Sequence, residues 1–350
     1  MKFIMWAAGL SFTLGATGLS LIAIGAAFGF AHPALDFFNH LQAFIFIGTL
    51  FCLLASPHIV RLPRWRALAM AISATGFLAS SLIVVPDISP ELGARPPLPT
   101  DGRPVYKLLT HNLFGRNYEA ANLWASIQLE DPDILTFQEY FPEQRNGLHA
   151  LLDDTYPYHS ICKGGKRANV AIYAKMPFEA ETEGACAQGD TDRISRIVAR
   201  FAGVNDQPFT VVTTHFDWPG QISQLDQGAN IVEGIDLAFA RQRSQFADLG
   251  AALQQLPGPL VLAGDFNSTS WSYALRGFAA EAGLKRQDHT VPTYPTRYYI
   301  WGWRDTLPFL PIDHVMTRGG IAVHELYAGD PAGSDHKSIV TRFSVGALPE

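Results

Sequence analysis

Three long stretches without a charged residue occupy the amino-terminal quarter of this chain and restrict the structures it can adopt. They run over residues 3–30, 37–60 and 67–86 of a 350-residue sequence. A transmembrane helix needs about 20 consecutive apolar residues, so each stretch is long enough to cross a bilayer. Backbone polar groups in lipid must be hydrogen-bonded within their own segment, which favours helices. We therefore predict a membrane region over residues 1–86 with three transmembrane helices.

Two of these stretches have an alternative interpretation. The first resembles a cleaved signal peptide, but its apolar part exceeds the roughly 7–15 residues usual for one, and two further stretches follow it. The second has His40, Gln42 and His58 near its ends, which is also typical of a re-entrant or interfacial helix. We favour a retained first span and a spanning second one.

Basic residues between the stretches predict an orientation. Lys2 precedes the first stretch, and Arg61, Arg64 and Arg66 lie between the second and third, whereas residues 31–36 contain no Lys or Arg. The positive-inside rule then places the amino terminus and the second connection in the cytoplasm. We expect a multi-pass protein of the cell (inner) membrane whose remaining chain is extracytoplasmic, and periplasmic in a Gram-negative organism.

A proline-rich segment follows the third stretch. Residues 87–104 contain Pro90, Pro96, Pro97, Pro99 and Pro104 and have little apolar content. Such a segment is typical of an extended, semi-rigid linker, and we expect it to lift the following domain off the membrane. Residues 105–350 are numerous enough for one large domain with a well-buried core.

Within this domain, short apolar runs of strand type repeatedly end in acidic, amide or imidazole side chains. The pattern occurs at His111 and Asn112, Gln138 and Glu139, His215 and Asp217, Asp265 and Asn267, and Asp313 and His314. A sixth pair, Asp335 and His336, instead lies directly before such a run at 338–340. Carboxylates can hold a hard divalent cation, amides can orient a water or a phosphoryl oxygen, and imidazoles can move protons near neutral pH. A phosphate-ester hydrolase requires this combination of groups.

The ordered motifs resemble the endonuclease/exonuclease/phosphatase superfamily, which has a DNase I-like fold. They read HN at 111–112, QE at 138–139, TTHFD at 213–217, GDFN at 264–267, IDH at 312–314 and SDH at 334–336. The resemblance implies an α/β fold, a four-layer sandwich of two mixed β-sheets flanked by helices, preceded here by three transmembrane helices. Calcineurin-like metallophosphatases share the Gly-Asp-x-Asn turn, but their early Asp-x-His and Gly-Asn-His motifs are absent from this sequence.

The resemblance also implies a divalent metal, Mg²⁺ or Mn²⁺. Glu139 is expected to be the principal metal ligand, with Asn112 beside it and Asp335 near the same metal. The implied reaction is in-line attack of an activated water on a phosphodiester or phosphomonoester. A noncatalytic membrane receptor or scaffold that retains the fold is the alternative.

Five further residues receive catalytic roles from the resemblance. Asp265 and Asn267 would orient or deprotonate the attacking water. His336 would pair with Asp313, and His215 would contact the phosphate or assist the leaving group. The general base is either His336 or Asp265. Each matched residue alone could be structural, for example in an Asx-turn, whereas the whole ordered set favours catalysis.

Other residues near the motifs are assigned less specific roles. We expect His111 and His314 to pack or to support neighbouring site residues, because adjacent strand residues face opposite sides. An aromatic stretch precedes Asp313 and is either a packed loop or a surface that contacts substrate or the bilayer interface. Its members are Trp271, Tyr294, Tyr298, Tyr299, Trp301 and Trp303.

Charge and cysteine content narrow the substrate and the compartment. Residues 105–350 carry 20 Lys and Arg against 28 Asp and Glu, which disfavours long nucleic acid because phosphate contacts dominate that affinity. Nucleic acid, a phospholipid headgroup and a small phosphate ester all remain candidate substrates, with the lipid bilayer as a further partner. Cys162 and Cys186 form an even pair in the domain, either as a disulfide in an oxidising compartment or as two free thiols.

Overall fold

The computed structural model describes residues 2–88, 94–162, 169–181, 194–204, 207–219, 231–288, 291–297 and 306–346. The helices in these ranges are α1 (Lys2–Ala27), α2 (Pro33–Asp36), α3 (Gln42–Ile59), α4 (Pro63–Ile88), α5 (Ala120–Glu130), α6 (Pro142–Leu152), α7 (Ile231–Gln254) and α8 (Tyr273–Glu281), with a 3-10 helix at Phe37–Leu41. The strands are β1 (Val105–Asn112), β2 (Ile134–Gln138), β3 (Tyr158–Cys162), β4 (Val170–Ala174), β5 (Glu179–Glu181), β6 (Arg196–Phe201), β7 (Phe209–His215), β8 (Leu260–Asp265), β9 (Lys285–Arg286), β10 (Asp313–Arg318), β11 (Ile321–Ala328) and β12 (Ile339–Val345).

Three amino-terminal helical segments are long and apolar enough to cross a membrane, at Trp6–Ala27, Pro33–Ile59 and Pro63–Ile88. Small residues meet between α1 and α4, where a Cβ on Gly76 would lie 2.5 Å from the hydroxyl of Ser20. Large apolar side chains instead point outward, and Leu82 is 74% exposed. Small residues inside and large apolar residues outside are typical of helices packed in lipid. Helices of spanning length therefore occur at all three predicted stretches.

The strands form two mixed six-stranded sheets. The first has the order β11-β12-β1-β2-β4-β3 and the second the order β5-β6-β7-β8-β10-β9. Each sheet contains one parallel pair, β1 with β2 and β7 with β8. The remaining pairs are antiparallel. This arrangement matches the predicted two mixed sheets.

The hydrophobic core lies in three layers that follow from strand alternation. Leu108 of β1 and Val261 of β8 belong to one buried cluster between the sheets. The next residue of β1, Leu109, faces the other way and packs with Leu148 of α6. Phe246 of α7 joins the cluster on the outer face of the second sheet. Helices thus cover both outer faces, and the predicted four-layer sandwich is confirmed.

Polar residues of both sheets end at one edge of this sandwich. In the first sheet, Asn112 pairs with Gln138 on the parallel neighbour. In the second, Asp265 pairs with His215 on the parallel β7 and with Asp313 on the antiparallel β10. Because β10 begins where β7 and β8 end, these side chains share one edge. The register thereby positions the site.

The domain packs directly on one end of the three apolar helices. Asp36, the last residue of α2, accepts hydrogen bonds from the backbone N–H groups of Tyr273 at 2.8 Å and Ala274 at 3.0 Å. Its carboxylate also accepts from the hydroxyl of Ser272 at 2.9 Å. These N–H groups lie in the first turn of α8 and have no partner within the helix, so a carboxylate there is favourable.

A second set of contacts joins the end of α4 to the domain. Asp87 forms an ion pair with Arg286 and accepts a hydrogen bond from Ser270. Beyond it, Arg95 donates to the carbonyl of Gln287 at 2.7 Å. The expectation that this segment lifts the domain off the membrane is therefore wrong, because its described parts and the helix ends bind the domain surface. The predicted domain boundaries remain a prediction.

The cysteines are only partly described. Cys162 is disulfide-bonded, and Cys52 is free. The predicted partner, Cys186, lies outside the described residues. The pairing of Cys162 with Cys186 therefore stays a prediction.

Arg286→Ala should destabilise the protein because it removes the cation from a buried pair. The side chains of Arg286 and Asp87 are 9% and 7% exposed, so water cannot fully replace the lost partner. We expect the free energy of unfolding to fall by about 3–5 kcal/mol, measured by thermal unfolding of the full-length protein in detergent.

The matched control is Arg200→Ala, which disrupts an ion pair with Glu181 whose side chains are 45% and 44% exposed. It should change stability by less than about 1 kcal/mol. Equal losses in the two variants would contradict the importance of the Asp87–Arg286 contact.

Candidate active site

Asp265 is the centre of the polar cluster at the sandwich edge. Its Oδ2 accepts a hydrogen bond from Nδ2 of Asn112 at 2.9 Å, and its Oδ1 accepts from the backbone N–H of Asn267 at 2.8 Å. Nε2 of His215 lies 3.3 Å from Oδ2. Residues from β1, from β7 and from the turn after β8 therefore converge on one carboxylate. All of these side chains are buried.

His336 and Asp313 form the predicted pair. Nδ1 of His336 lies 2.8 Å from Oδ2 of Asp313. Its Nε2 faces the rest of the site, 4.0 Å from Asp265 and 3.9 Å from Asp335. Asp313 thus fixes the ring orientation and leaves Nε2 as the atom that reaches the reaction centre.

Burial disfavours the charged forms of the side chains at this site, whereas neighbouring groups of opposite charge favour them. Burial lowers the pKa of His336, but the carboxylates of Asp313, Asp265 and Asp335 outweigh it and raise that pKa to about 10. Burial raises the pKa of Asp265, but His215 and His336 outweigh it and hold that pKa below its ordinary value. Burial raises the pKa of Asp313, and the charge of His336 opposes that rise. The buried part of the site is therefore a set of acidic and basic groups that shift one another's pKa.

Glu139 and Asp335 lie on the more accessible side of the site, and both are partly exposed. Oε2 of Glu139 accepts a hydrogen bond from the backbone N–H of Gly115 at 2.7 Å. Burial raises the pKa of Asp335 to about 6, the charge of His336 opposes that rise, and the charge of Glu139 adds to it. The two carboxylates are thus close enough to repel. All eight predicted site residues lie at this edge.

Two of the site residues have left-handed backbone conformations. Glu139 has φ of 53° and Asn267 has φ of 47°. Such values are uncommon for residues other than glycine, and for Glu139 they impose a cost of order 1–3 kcal/mol. Strain of this kind persists where the surrounding structure determines the conformation, and it often marks functional sites.

The oxygen donors of the partly exposed Glu139 and Asp335 and of the buried Asn112 suit a hard divalent cation. Glu139 and Asp335 offer carboxylate oxygens and Asn112 offers an amide oxygen, which are the ligand types that Mg²⁺ and Mn²⁺ take. Burial is the main cause of the raised pKa of Asp335, and a cation would offset both this burial and the smaller repulsion from Glu139. The residues predicted to bind metal therefore fit one.

A second group has ligand atoms within 4.8 Å of one another, on Asp265, Asp313 and His336. This group is less suited to a metal, because Nδ1 of His336 is already bonded to Asp313. A metal ligand must also be deprotonated, whereas the pKa of His336 is raised to about 10. The distances in this group are explained by the Asp–His pairing.

A known protein family matches the part of the chain that carries this site. The model of the Endonuclease/Exonuclease/phosphatase family matches residues 109–336, a range that contains all six motifs. The chain belongs to this family. The family predicted from the motifs is therefore confirmed.

Solved structures support the family fold. The endonuclease/exonuclease/phosphatase from Bacteroides vulgatus is 18% identical, with a TM-score of 0.51 over 70% of this chain and 100% of that one. TDP2 of D. rerio, solved in complex with a single-strand DNA product, is 15% identical, with a TM-score of 0.52 over 69% of this chain and 99% of that one. At these identities the likeness concerns the fold alone.

A sequence relative covers a smaller part of the chain. The UPF0294 protein VP2298 of Vibrio parahaemolyticus is 35% identical over 106 residues, which is 29% of this chain. The matched stretch spans 34% of that protein. The similarity therefore relates parts of the two proteins.

Two further histidines of the family motifs contact the backbone of segments that carry site residues. Nε2 of His111 lies 3.1 Å from the carbonyl oxygen of His336. His314 contacts Asp288 through Nδ1 at 2.5 Å and the carbonyl of Ser268 through Nε2 at 2.7 Å. The predicted supporting roles of His111 and His314 are consistent with these contacts, since each holds the backbone of a segment that carries site residues.

Sequence reasoning missed Thr293 and gave Tyr294 no specific role. The Thr293 hydroxyl donates to Oδ2 of Asp313 at 2.5 Å. The Tyr294 ring lies 4.8 Å from that of His336. The sequence feature that could have indicated these two residues is the Thr-Tyr-Pro-Thr run at 293–296. The sequence of a loop does not show which residues its hydroxyl and aromatic side chains contact.

The aromatic stretch is otherwise only partly described. Trp271 is a packing residue, as the structural interpretation predicts, but its partners are Ala26, Ile83 and Val84 of the membrane helices. Tyr298, Tyr299, Trp301 and Trp303 lie outside the described residues.

Thr293→Val should lower turnover because it removes one hydrogen bond from Asp313 while nearly preserving volume. The lost bond is worth about 1 kcal/mol, which corresponds to about fivefold in kcat. Initial rates on p-nitrophenyl phosphate and on bis-p-nitrophenyl phosphate would measure the effect.

Thr341→Val is the matched control. The Thr341 hydroxyl is buried without a hydrogen-bond partner among the described residues, so its loss should leave kcat unchanged. If both variants behaved alike, Thr293 would have no part in orienting the Asp313–His336 pair.

Proposed function

We propose that this protein is a membrane-anchored, metal-dependent phosphoesterase that hydrolyses a phosphodiester or phosphomonoester by in-line attack of water. The observation that supports it best is the convergence on Asp265 of Asn112, His215 and Asn267, at distances of 2.8–3.3 Å. Membership of the family makes a phosphoester hydrolase the expected activity.

In the proposed reaction, the buried carboxylate of Asp265 accepts a hydrogen bond from the attacking water. The backbone N–H of Asn267 donates a hydrogen bond to that carboxylate and fixes its position. Nε2 of His336 moves the proton at the reaction centre, because Nδ1 is committed to Asp313. His215, on the other side of Asp265, contacts the phosphate.

Glu139, Asp335 and Asn112 would hold Mg²⁺ or Mn²⁺ on the accessible side. When bound, such an ion polarises a phosphoryl oxygen and neutralises negative charge that develops on it. Glu139 receives a hydrogen bond from Gly115, which orients its carboxylate for this role. The alternative of a noncatalytic receptor or scaffold is disfavoured, since the fold alone does not require eight side chains of catalytic or metal-binding type at one edge.

The three apolar helices would anchor the enzyme in the cell membrane. Arg61, Arg64 and Arg66 lie between the second and third helices, which by the positive-inside rule puts that connection in the cytoplasm. The catalytic domain is then extracytoplasmic. A reporter that is active only after export, fused after residue 350, should be active. Activity of a cytoplasm-only reporter at the same position would reverse the proposed orientation.

Two substitutions test the division of the site into metal-binding and proton-transfer parts. Glu139→Gln should raise the Mg²⁺ or Mn²⁺ concentration needed for half-maximal activity, because a charged oxygen ligand is lost. His336→Ala should leave that concentration nearly unchanged and lower kcat by about 10²–10⁴-fold. The measurements are metal titrations of initial rates on nucleic acid, phospholipid and small phosphate-ester probes, with the full-length protein.

Glu143→Gln, on the exposed first turn of α6, is the control for Glu139→Gln and should leave the metal requirement unchanged. Near-full turnover by His336→Ala on the best probe would remove His336 from the mechanism. Failure of the unaltered protein to hydrolyse any probe with either metal would count against the proposed function itself.

A further inference from the structure

Three loops at the active-site edge touch one short segment at the outer end of the second span. The loop after β8 donates the backbone N–H of Thr269 to Nδ1 of His40 at 3.1 Å. The loop after β7 places the ring of Trp218 5.9 Å from that of His40. The loop before β10 packs Phe309 on Phe44, with ring centroids 5.1 Å apart. The active-site edge therefore faces the amino-terminal end of α3.

A short series of contacts joins the catalytic imidazole to this helix. The Tyr294 ring lies 4.8 Å from the ring of His336. The Tyr294 carbonyl accepts hydrogen bonds from the backbone N–H groups of Phe309 at 2.9 Å and Leu310 at 2.8 Å. Phe309 in turn contacts Phe44 in the first turn of α3. The site thus lies where α3 would emerge from the membrane.

An apolar rim borders the site on this side. Leu307 is 90% exposed, and Leu41 and Phe44 at the start of α3 are also exposed and continue into the outward-facing Ile47. A single exposed leucine needs no functional explanation, as Leu129 at the end of α5 illustrates with 82% exposure. What distinguishes Leu307 is its loop, in which Phe309, two residues later, packs on Phe44 in the first turn of α3.

We propose that the substrate is a phosphate ester of a membrane lipid, which reaches the site laterally from the bilayer surface beside the loop at 306–309. This inference rests on the phosphoesterase function proposed above. The lipid tail would remain in the bilayer along Leu307 and Phe44 while the headgroup phosphate enters the site. Water adds its hydroxyl oxygen to phosphorus, and its remaining proton goes to the leaving oxygen, so a diester yields a monoester and an alcohol.

Contacts with the apolar helices also explain how a negatively charged domain can stay close to a lipid surface. Residues 105–350 carry 20 basic and 28 acidic residues, so electrostatic attraction would not hold this domain on an anionic bilayer. The contacts of Asp36 and Asp87 hold it there instead. A domain with excess negative charge can therefore remain at a lipid surface.

Leu307→Asp tests this inference in the full-length protein reconstituted into vesicles. Phosphatidylglycerol is the lipid diester probe and phosphatidic acid the lipid monoester probe, with bis-p-nitrophenyl phosphate and p-nitrophenyl phosphate as soluble counterparts. A charge at the rim should lower the rate on the lipid probe by about tenfold. The rate on the matching soluble probe should stay unchanged, because the Leu307 side chain is almost fully exposed.

Leu129→Asp is the matched control. It also adds a charge at an exposed leucine, but α5 ends beside the start of β2, at the opposite edge of the sandwich from the site. It should leave the rates on lipid and soluble probes unchanged. Thermal unfolding of both variants should match that of the unaltered protein.

The outcomes separate this inference from the proposed function. Hydrolysis of a soluble probe but of neither lipid, or equal losses on lipid and soluble probes in Leu307→Asp, would overturn the lipid inference and leave the phosphoesterase function standing. Absence of hydrolysis of all four probes with Mg²⁺ and Mn²⁺ would overturn both.

Discussion

The register of β8 with its two neighbours determines the geometry of the site. Asp265 pairs with His215 on one side and with Asp313 on the other. Since the strands are held by continuous backbone hydrogen bonds, these three side chains cannot move apart without breaking the centre of the sheet. A shift of one residue would turn Asp265 toward the opposite face. Gly264 permits the close approach this register requires, because a Cβ there would lie 2.1 Å from the carbonyl oxygen of Thr214.

The turn after Asp265 links the candidate site to the apolar helices. His314 holds the carbonyl of Ser268 at one end of this turn, and Asp36 binds the backbone of Tyr273 at the other. Thr269, between them, bonds to His40. Asp36 and His40, at the start of the second apolar segment, therefore help to fix the conformation of the segment that carries Asn267. The same contacts hold the site close to one end of the apolar helices.

Much of the fold and of the site follows from local sequence pattern. The uncharged stretches predict the long helices because length and apolarity are properties of one segment. Polar residues at the ends of apolar runs predict the site because strand ends of a rigid sheet meet at an edge. Thr293 was not predictable in this way, since its partner Asp313 lies in another segment and the bond depends on the loop path. The contact of Asp36 with Tyr273, more than 200 residues later, has no local signal at all.

The linker expectation failed for a related reason. Proline content predicts local stiffness, but it does not determine whether a stiff segment stands in solvent or lies against a surface. Here Asp87 and Arg286 form a buried ion pair at the end of α4, and Arg95 binds the carbonyl of Gln287. Burying a charged pair is costly unless the geometry and further hydrogen bonds compensate, and Ser270 supplies one such bond to Asp87. These contacts are directional and therefore restrict the domain to one placement on the helices. The apolar packing of Trp271 alone would restrict that placement less.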